Sequence, residues 1–185
     1  MSGTHGEKHR SVDGRLRHYD LRMGMLITDL VGYPITSLSI TTDTNGLLLS
    51  TLDSHVRLLD KTTGTCLQTY SGGHVNVDYR VRSCIGGPGD AWVVTGSEDG
   101  KIVAYDLLDG REVASIKGQH QGKVVSGVAF HPKGKQWVSA GVDGEIPALI
   151  SFLLSGSCKL AEYEPLLDFR FYLCLGPLRR VNKIT

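Results

Sequence analysis

The chain has 185 residues, enough for one ordinary domain with a buried core but hardly for two. Apolar residues make up 41% of it and charged residues 21%, a globular composition rather than a disordered or fibrous one. Its 20 basic and 19 acidic residues leave a formal net charge of +1, so no overall field steers it to nucleic acid or to an anionic membrane.

The first 12 residues are polar and contain no apolar run, so they predict a tail and not a signal peptide. The longest apolar run, residues 146–154, is far shorter than the ~20 residues that a membrane-spanning helix needs. The cysteines are too widely spread to pair as zinc ligands: Cys66, Cys84, Cys158 and Cys174. We therefore expect a soluble protein of the cytoplasm and/or nucleus, with reduced cysteines, no membrane association and no metal or cofactor.

A short phrase recurs along the chain: an Asp, then Gly or Ser, any residue, and an aliphatic residue. Its copies start 40 to 46 residues apart, at Asp13, Asp53, Asp99 and Asp143. In the first three copies a second Asp follows seven residues later, and a turn that ends in Gly comes next. A fixed phrase at a near-constant interval indicates an internal repeat.

Short strand-like segments surround every copy of the phrase. In chain order they read RLRHYD, GMLITDLVG, PITSLSI, LLLSTLD, VRLLD, GTCLQTYSG, VRSCI, WVVTGSED, KIVAYD, GREVASIKG, KVVSGVAF and WVSAGVD. Gly, Asn and Asp stand at the turns, and helical periodicity is almost absent. The pattern predicts an all-β chain in which each repeat is a four-stranded antiparallel blade. The expected boundaries are a partial blade at 13–32, complete blades at 33–72 and 73–118, and a truncated blade at 119–144.

The repeat resembles the WD40 repeat, in which Gly-His precedes the first strand and Trp-Asp closes the third. Here Gly-His occurs as GGH at His74 and as GQH at His120, and Tyr-Asp or Leu-Asp replaces Trp-Asp. The phrases DGRLRHYDLRMG, LDSHVRLLDKTTG and VTGSEDGKIVAYDLLDG resemble more narrowly the mitogen-activated protein kinase organizer proteins, a seven-bladed WD40 family. The resemblance spans roughly residues 13–144. It implies a partial WD40 β-propeller, about three blades of an expected seven.

The resemblance also implies a polar network inside each blade. In WD40 blades a His, a Ser or Thr, the turn Asp and the Trp satisfy one another's hydrogen bonds. The third blade offers His74, Thr95, Asp99 and Tyr105, and the fourth offers His120, Ser139 and Asp143 with Leu149 at the ring position. The second blade keeps Asp53 but has Leu49 and Leu59, so its network is expected to be mostly lost. The partial blade keeps Asp13.

A His, an Asp and a hydroxyl residue within one blade also raise the possibility of a hydrolase triad. The structural interpretation explains more, because the Asp recurs with the repeat and no exposed G-x-S-x-G elbow is present. The segment GSEDGK at 96–101 lacks phosphate-loop spacing and is typical of a hairpin. We expect no catalytic, cofactor-binding or metal-binding residue.

Function is then expected on the loops around the blades, where a propeller supports recognition. The resemblance implies a partner-binding face from residues near the first strand and before the turn Asp: Tyr33, Ile35, Leu52, Val77, Tyr79, Glu98, Lys123, Val125 and Val142. Tyr33 and Tyr79 are candidate aromatic anchors. The alternative is that some of these side chains only pack between neighbouring blades.

The repeat breaks after Gly144, and residues 145–185 show no further copy of it. Pro147 stands where a strand would donate to its ladder, which argues against a central strand there. The chain also begins in the middle of a blade. We expect a piece of a larger ring with a divergent C-terminal segment, and marginal stability when it is expressed alone.

The preferred functional interpretation is a non-catalytic scaffold for protein–protein interaction. The resemblance implies partners from kinase cascades or from pre-mRNA splicing complexes, and no small-molecule substrate. The alternatives are a nucleic-acid-associated module for RNA processing, which the charge of +1 supports poorly, and an enzyme built on a propeller, for which no nucleophile or ligand set is visible.

Overall fold

The computed structural model describes residues 12–117, 120–131, 136–144 and 148–150. Within these residues the chain is nearly all β, with thirteen strands and one short 3₁₀ helix at Pro88–Asp90. The predicted all-β class is therefore confirmed. The strands form four antiparallel sheets that follow one another along the chain.

Each sheet is built from strands that are consecutive in sequence. The first holds β1 (Arg15–Asp20) and β2 (Met25–Leu30). The second holds β3 (Ile35–Ile40), β4 (Gly46–Thr51), β5 (His55–Asp60) and β6 (Cys66–Tyr70). The third holds β7 (Ser83–Gly86), β8 (Trp92–Gly96), β9 (Ile102–Asp106) and β10 (Glu112–Ile116). The fourth holds β11 (Val125–Phe130), β12 (Gln136–Gly141) and β13 (Ala148–Ile150).

The second Asp of each repeat makes the turn that closes the third strand of its blade. One carboxylate oxygen of Asp60 accepts hydrogen bonds from the backbone N–H of Thr62 at 2.8 Å and of Thr63 at 2.7 Å. Asp20 and Asp106 bind the N–H groups two and three residues ahead of them in the same way. These local bonds offer the backbone a turn in place of a continued strand, which is why the phrase punctuates the chain.

The core lies between sheets rather than within one of them. The second and third sheets share a buried cluster of Leu48, Val56, Leu58, Tyr70, Val93, Val103 and Tyr105. Leu16 of the first sheet packs with Ile35, Leu49 and Leu59 of the second. Val94, Ile102 and Ala104 of the third sheet pack with Val125 and Val128 of the fourth. Stacked sheets of consecutive strands are the arrangement of propeller blades, as the repeat predicted.

Because neighbouring strands are antiparallel, the connections alternate between two ends of the stack. We call one end the upper rim; its described loops are residues 31–34, 52–54, 71–82, 97–101, 120–124 and 142–144. The opposite end carries the turns after β1, β3, β5, β7 and β9. These upper-rim loops contain seven of the nine candidate partner-binding positions; Ile35 and Val125 lie in β3 and β11 instead.

The fourth sheet extends further than the sequence led us to expect. Beyond Gly144, where no strand was expected, β13 pairs antiparallel with β12 and aligns Leu149 with Trp137. The strand begins one residue after Pro147, so the ladder does not need the N–H that proline lacks. Pro147 itself and residues 151–185, most of the predicted divergent segment, lie outside the described residues.

Two glycine substitutions test how closely the third and fourth sheets pack. A Cβ atom on Gly96 would lie 2.1 Å from the carbonyl oxygen of Val125, whereas one on Gly127 would meet nothing nearer than the Cβ of Ala140 at 3.8 Å. We expect Gly96→Ala to lower the free energy of unfolding by about 1–3 kcal/mol, because the backbones must move apart. Gly127→Ala should change it by less than ~1 kcal/mol. Denaturant unfolding of both variants measures the difference, and equal stabilities would contradict this packing.

Candidate interaction surface and the hydrogen bonds beneath it

The fourth sheet brings its predicted network residues together. The Nδ1 atom of His120 lies 2.9 Å from a carboxylate oxygen of Asp143, and its Nε2 atom lies 2.9 Å from the hydroxyl of Ser139. His120 and Ser139 are both buried. The imidazole therefore joins the loop before β11, which carries His120, to β12 and to the turn that follows β12.

The third sheet arranges the corresponding residues differently. The Nδ1 atom of His74 lies 2.8 Å from the hydroxyl of Tyr105, which also accepts the N–H of Gly73 at 3.2 Å. The hydroxyl of buried Thr95 donates to the carbonyl of Gly96 at 3.1 Å. Among the described residues the Nε2 atom of His74 has no hydrogen-bond partner. The expected contacts from His74 to Thr95 and Asp99 are therefore not made.

Asp99 instead belongs to the surface of the turn. Its carboxylate forms an ion pair with the ammonium group of Lys101 and accepts the backbone N–H of that residue at 3.2 Å. The replacement of Trp by Tyr at position 105 accounts for the difference. A phenol has a hydroxyl that both accepts and donates, so Tyr105 forms the hydrogen bond with the imidazole nitrogen of His74.

Burial lowers the pKa of His74 to about 4 and raises the pKa of Tyr105 to about 12, so both are neutral at physiological pH.

The turn Asp of the second sheet has partners that the motif did not predict. The carboxylate of Asp53 forms an ion pair with Arg57 and accepts the hydroxyl of Thr51 at 2.5 Å. Burial by itself would raise the pKa of Asp53, but the hydrogen bonds from Arg57 and Thr51 hold it below its ordinary value. The Arg57 guanidinium also lies 5.4 Å from the ring centre of Tyr33. An Arg four residues after the turn Asp was the available sequence signal.

The first sheet repeats this pairing. Asp13 forms an ion pair with Arg17 at 2.5 Å, again four residues along, and the pKa of Asp13 is lowered chiefly by that hydrogen bond. The two turns share the sequence spacing Asp-x-x-x-Arg. In both, an arginine on the strand that follows the turn, Arg17 on β1 or Arg57 on β5, reaches back to the Asp of that turn.

The Asp143, His120 and Ser139 contacts have the connectivity of a hydrolase triad, but not its accessibility. Ser139 is 1% exposed and His120 is fully buried, so a substrate cannot approach the hydroxyl. No group of three or more His, Cys, Asp or Glu residues that could hold a metal ion occurs in the described part of the chain. Cys66 and Cys84 carry free thiols, whereas Cys158 and Cys174 fall outside it.

Five of the nine predicted partner-face residues are exposed at the upper rim: Tyr33, Val77, Tyr79, Lys123 and Val142. Leu52 and Glu98 are half-buried. Tyr79 and Val77 are each about half exposed, at 53% and 52%. Large apolar side chains held in this way on loops are candidates for partner contact.

Two of the nine residues were wrongly placed on this face. Ile35 is buried against Leu16 and Leu49, and Val125 is fully buried in the cluster between the third and fourth sheets. Each is the first residue of the first strand of its sheet, and its side chain packs against the neighbouring sheet. The sequence position is the same as for exposed members, so only the packing distinguishes them.

Comparison with known proteins gives the same repeat. The family described as WD domain, G-beta repeat matches residues 64–106 and 110–146. Each match starts before the last strand of one sheet and ends before the last strand of the next, so one sequence repeat joins two sheets. Residues 64–106 and 110–146 are therefore WD40 repeats. The hydrogen bonds of Tyr105 and Asp143 described above lie inside these two repeats.

Several of the most similar relatives are named WD repeat domain-containing protein 83 or its homolog. The protein of Rattus norvegicus is 44% identical over 66% of this chain and 38% of its own length. The human protein is 45% identical over 62% and 35%, and that of Dictyostelium discoideum is 35% identical over 72% and 40%. The chain thus spans about two fifths of the length of these relatives. In the described residues no helix is long and apolar enough to cross a membrane.

Removal of the Ser139 hydroxyl tests whether the fourth-blade network is structural. Ser139→Ala leaves the Nε2 atom of buried His120 without its partner, so we expect a loss of about 1–3 kcal/mol in the free energy of unfolding. Ser115→Ala, at an exposed serine on β10, is the control and should cost less than ~0.5 kcal/mol. A hydrolytic turnover abolished by Ser139→Ala in a fully stable protein would refute the structural role.

The buried imidazole of the third blade predicts a pH dependence of stability. The folded pKa of His74 is about 4, below the ordinary value of 6.5, so the unfolded chain binds the proton first as the pH falls. The contribution of neutral His74 to the free energy of unfolding is therefore fully present above pH 6.5 and is lost as the pH falls from 6.5 to about 4. It amounts to at most about 3 kcal/mol. Denaturant unfolding between pH 7.5 and 4.5 should show a shallower slope for His74→Gln than for the unmodified protein; identical slopes would contradict the assignment.

Proposed function

We propose that this chain acts as a non-catalytic scaffold that binds other proteins through the upper rim of its blades. The observation that carries the proposal is the contrast between buried and exposed groups. The His, Ser and Asp side chains of the fourth blade are hydrogen-bonded to one another inside the fold. Apolar and aromatic side chains, in contrast, are exposed on the upper-rim loops. Loops held on a supporting sheet are where residues that bind partners concentrate.

The partners that we propose are components of mitogen-activated protein kinase cascades, or alternatively of a pre-mRNA splicing complex. The resemblance of the blade phrases to the kinase organizer proteins supports the first. The names of the relatives describe their repeats and give no partner. The chain would act in the cytoplasm and/or nucleus, and would raise the effective concentration of partners held on one platform.

Affinity purification of the tagged protein from cells that express it, with quantitative mass spectrometry, tests this proposal. We expect recovery of kinase-cascade or splicing components that survives nuclease treatment. Tyr79→Ala should reduce the recovery of a shared set about fivefold or more, because aromatic anchors dominate interface energies, and Val77→Ala should reduce it by a smaller factor. Leu67→Ala, at a side chain 58% exposed on β6, is the matched control and should leave recovery unchanged.

Three outcomes would count against the proposal. Recovery of no protein above the tag alone would remove the scaffold role. Recovery that disappears with nuclease would indicate a nucleic-acid-associated module instead. Equal losses with Leu67→Ala and Tyr79→Ala would show that the upper rim is not the docking surface.

A further inference from the structure

The loop of residues 75–79 on the upper rim is held by an unusual set of acceptors. One carboxylate oxygen of Glu98 accepts three consecutive backbone N–H groups, those of Val77 at 2.6 Å and of Asp78 and Tyr79 at 2.8 Å each. The hydroxyl of Ser97 accepts the N–H of Val75 at 2.8 Å, and that of Ser54 accepts the N–H of Asn76 at 2.9 Å. All five backbone donors of the loop are thus bound by side chains from neighbouring turns.

This arrangement decides how the loop can meet a partner. Its N–H groups are already used, so they are not available to pair with an added strand. Recognition must go through the side chains, and Val75, Val77 and Tyr79 are 40%, 52% and 53% exposed. The ordering of the loop is already made in the folded protein, which lowers the entropic cost of binding.

Glu98 consequently has a different role from the one that its sequence position implied. It was expected to contact a partner, but its carboxylate faces the backbone of its own chain and the residue is half-buried. Its own N–H also donates to the carbonyl of Val75 at 2.9 Å. Glu98 therefore joins the turn before β9 to the loop before β7 twice, through its side-chain carboxylate and through its backbone N–H.

The charges on the upper rim are unequally satisfied. Its acids are engaged: Asp53 by Arg57, Asp99 by Lys101, Asp143 by His120 and Glu98 by the loop amides, with only Asp78 exposed and unpaired among the described residues. Its cations are not engaged to the same degree. Within the described part of the chain, Arg80, Arg82 and Lys123 have no ionic partner. The groups left for a partner are therefore mainly apolar and positive.

The loops that carry these groups are adjacent. The N–H of Val125 donates to the carbonyl of Ser97 at 3.0 Å, and a Cβ on Gly100 would come within 2.6 Å of the Cα of Gly122. The loop of Lys123 thus packs directly on the turn of Glu98, which in turn holds Tyr79.

We propose that the 75–79 loop binds a protein segment in which an apolar or aromatic anchor is flanked by carboxylates, and that Glu98 is the positioning residue of this site. The anchor packs on Val77 and Tyr79, and the carboxylates meet Arg80 and Lys123. This inference rests on the proposed scaffold function and names the class of partner that the site accepts. Charge complementarity favours an acidic segment because the site offers more free positive groups than negative ones.

Panning of a phage-displayed library of random peptides on the full chain tests the chemistry of the partner. We expect enriched peptides to combine an aromatic or large aliphatic residue with Asp or Glu, and to weaken with added salt. Their affinity should fall about tenfold for Tyr79→Ala and about fivefold for Arg80→Glu. No enrichment over Tyr79→Ala, enriched peptides that are basic, or binding indifferent to both variants would overturn the proposal.

Two substitutions of Glu98 separate positioning from contact. Glu98→Ala removes the acceptor, so the amides of Val77, Asp78 and Tyr79 should exchange with solvent about tenfold faster or more, and the selected peptides should bind about tenfold more weakly. Glu98→Gln keeps a carbonyl acceptor and should restore most of both. Asp109→Ala, at an exposed acid on the opposite end of the sheets, is the control and should change neither.

The outcomes also distinguish this inference from the scaffold proposal. Unchanged exchange in Glu98→Ala, or a Glu98→Gln variant as weak as Glu98→Ala, would overturn the positioning role. Loss of the selected peptides with retained cellular partners would leave the scaffold standing and this site refuted. Retained peptides with no cellular partner would refute the scaffold alone.

Discussion

The packing of each sheet face against the next is the interaction on which the rest of the structure depends. Between the second and third sheets, Leu48 and Val56 meet Val93 and Tyr105 in a single buried cluster. The hydroxyl of Tyr70 crosses the same boundary and donates to the carbonyl of Leu107 at 2.6 Å. A lone antiparallel sheet of short strands exposes one apolar face, so stability here belongs to the pairs of sheets and not to any one of them.

The polar groups beneath the upper rim follow from that packing. His74 and His120 occupy the same place in successive blades, yet one bonds to a tyrosine hydroxyl and the other to a carboxylate. In both cases the bond satisfies a group that the stacked sheets have removed from water. In the third blade Asp99 is therefore available for the surface ion pair with Lys101. The two blades share a sequence motif but satisfy the buried histidine with different partners.

The same internal use of hydrogen-bonding groups shapes the surface. The carboxylates on the upper rim form ion pairs with arginine, lysine or histidine, or accept hydrogen bonds from the backbone. Arg80 and Lys123 have no ionic partner among the described residues. An interface requires ordered exposed groups, and the 75–79 loop provides them because three side chains from two neighbouring turns bind its backbone. The groups left for a partner are therefore those that the fold does not use in its own hydrogen bonds and ion pairs.

Sequence by itself determined the class of fold, the strands and most of their bounds. Repeat spacing, alternation and Asp turns are local properties, and they located every described strand up to β12. Two features depended on a neighbouring residue that the motif did not specify. Strand β13 forms after Pro147 because β12 offers it a free edge, and Asp53 finds Arg57 four residues away.

The tertiary structure decided which rim residues face a partner. Ile35 and Val125 match exposed positions of the motif but are buried, since the adjacent sheet covers them, and Glu98 turns inward because three loop amides converge on its carboxylate. Burial and convergence are properties of elements far apart in the chain. A local pattern predicts where a strand begins and ends, but the exposure of its side chains depends on what packs against it.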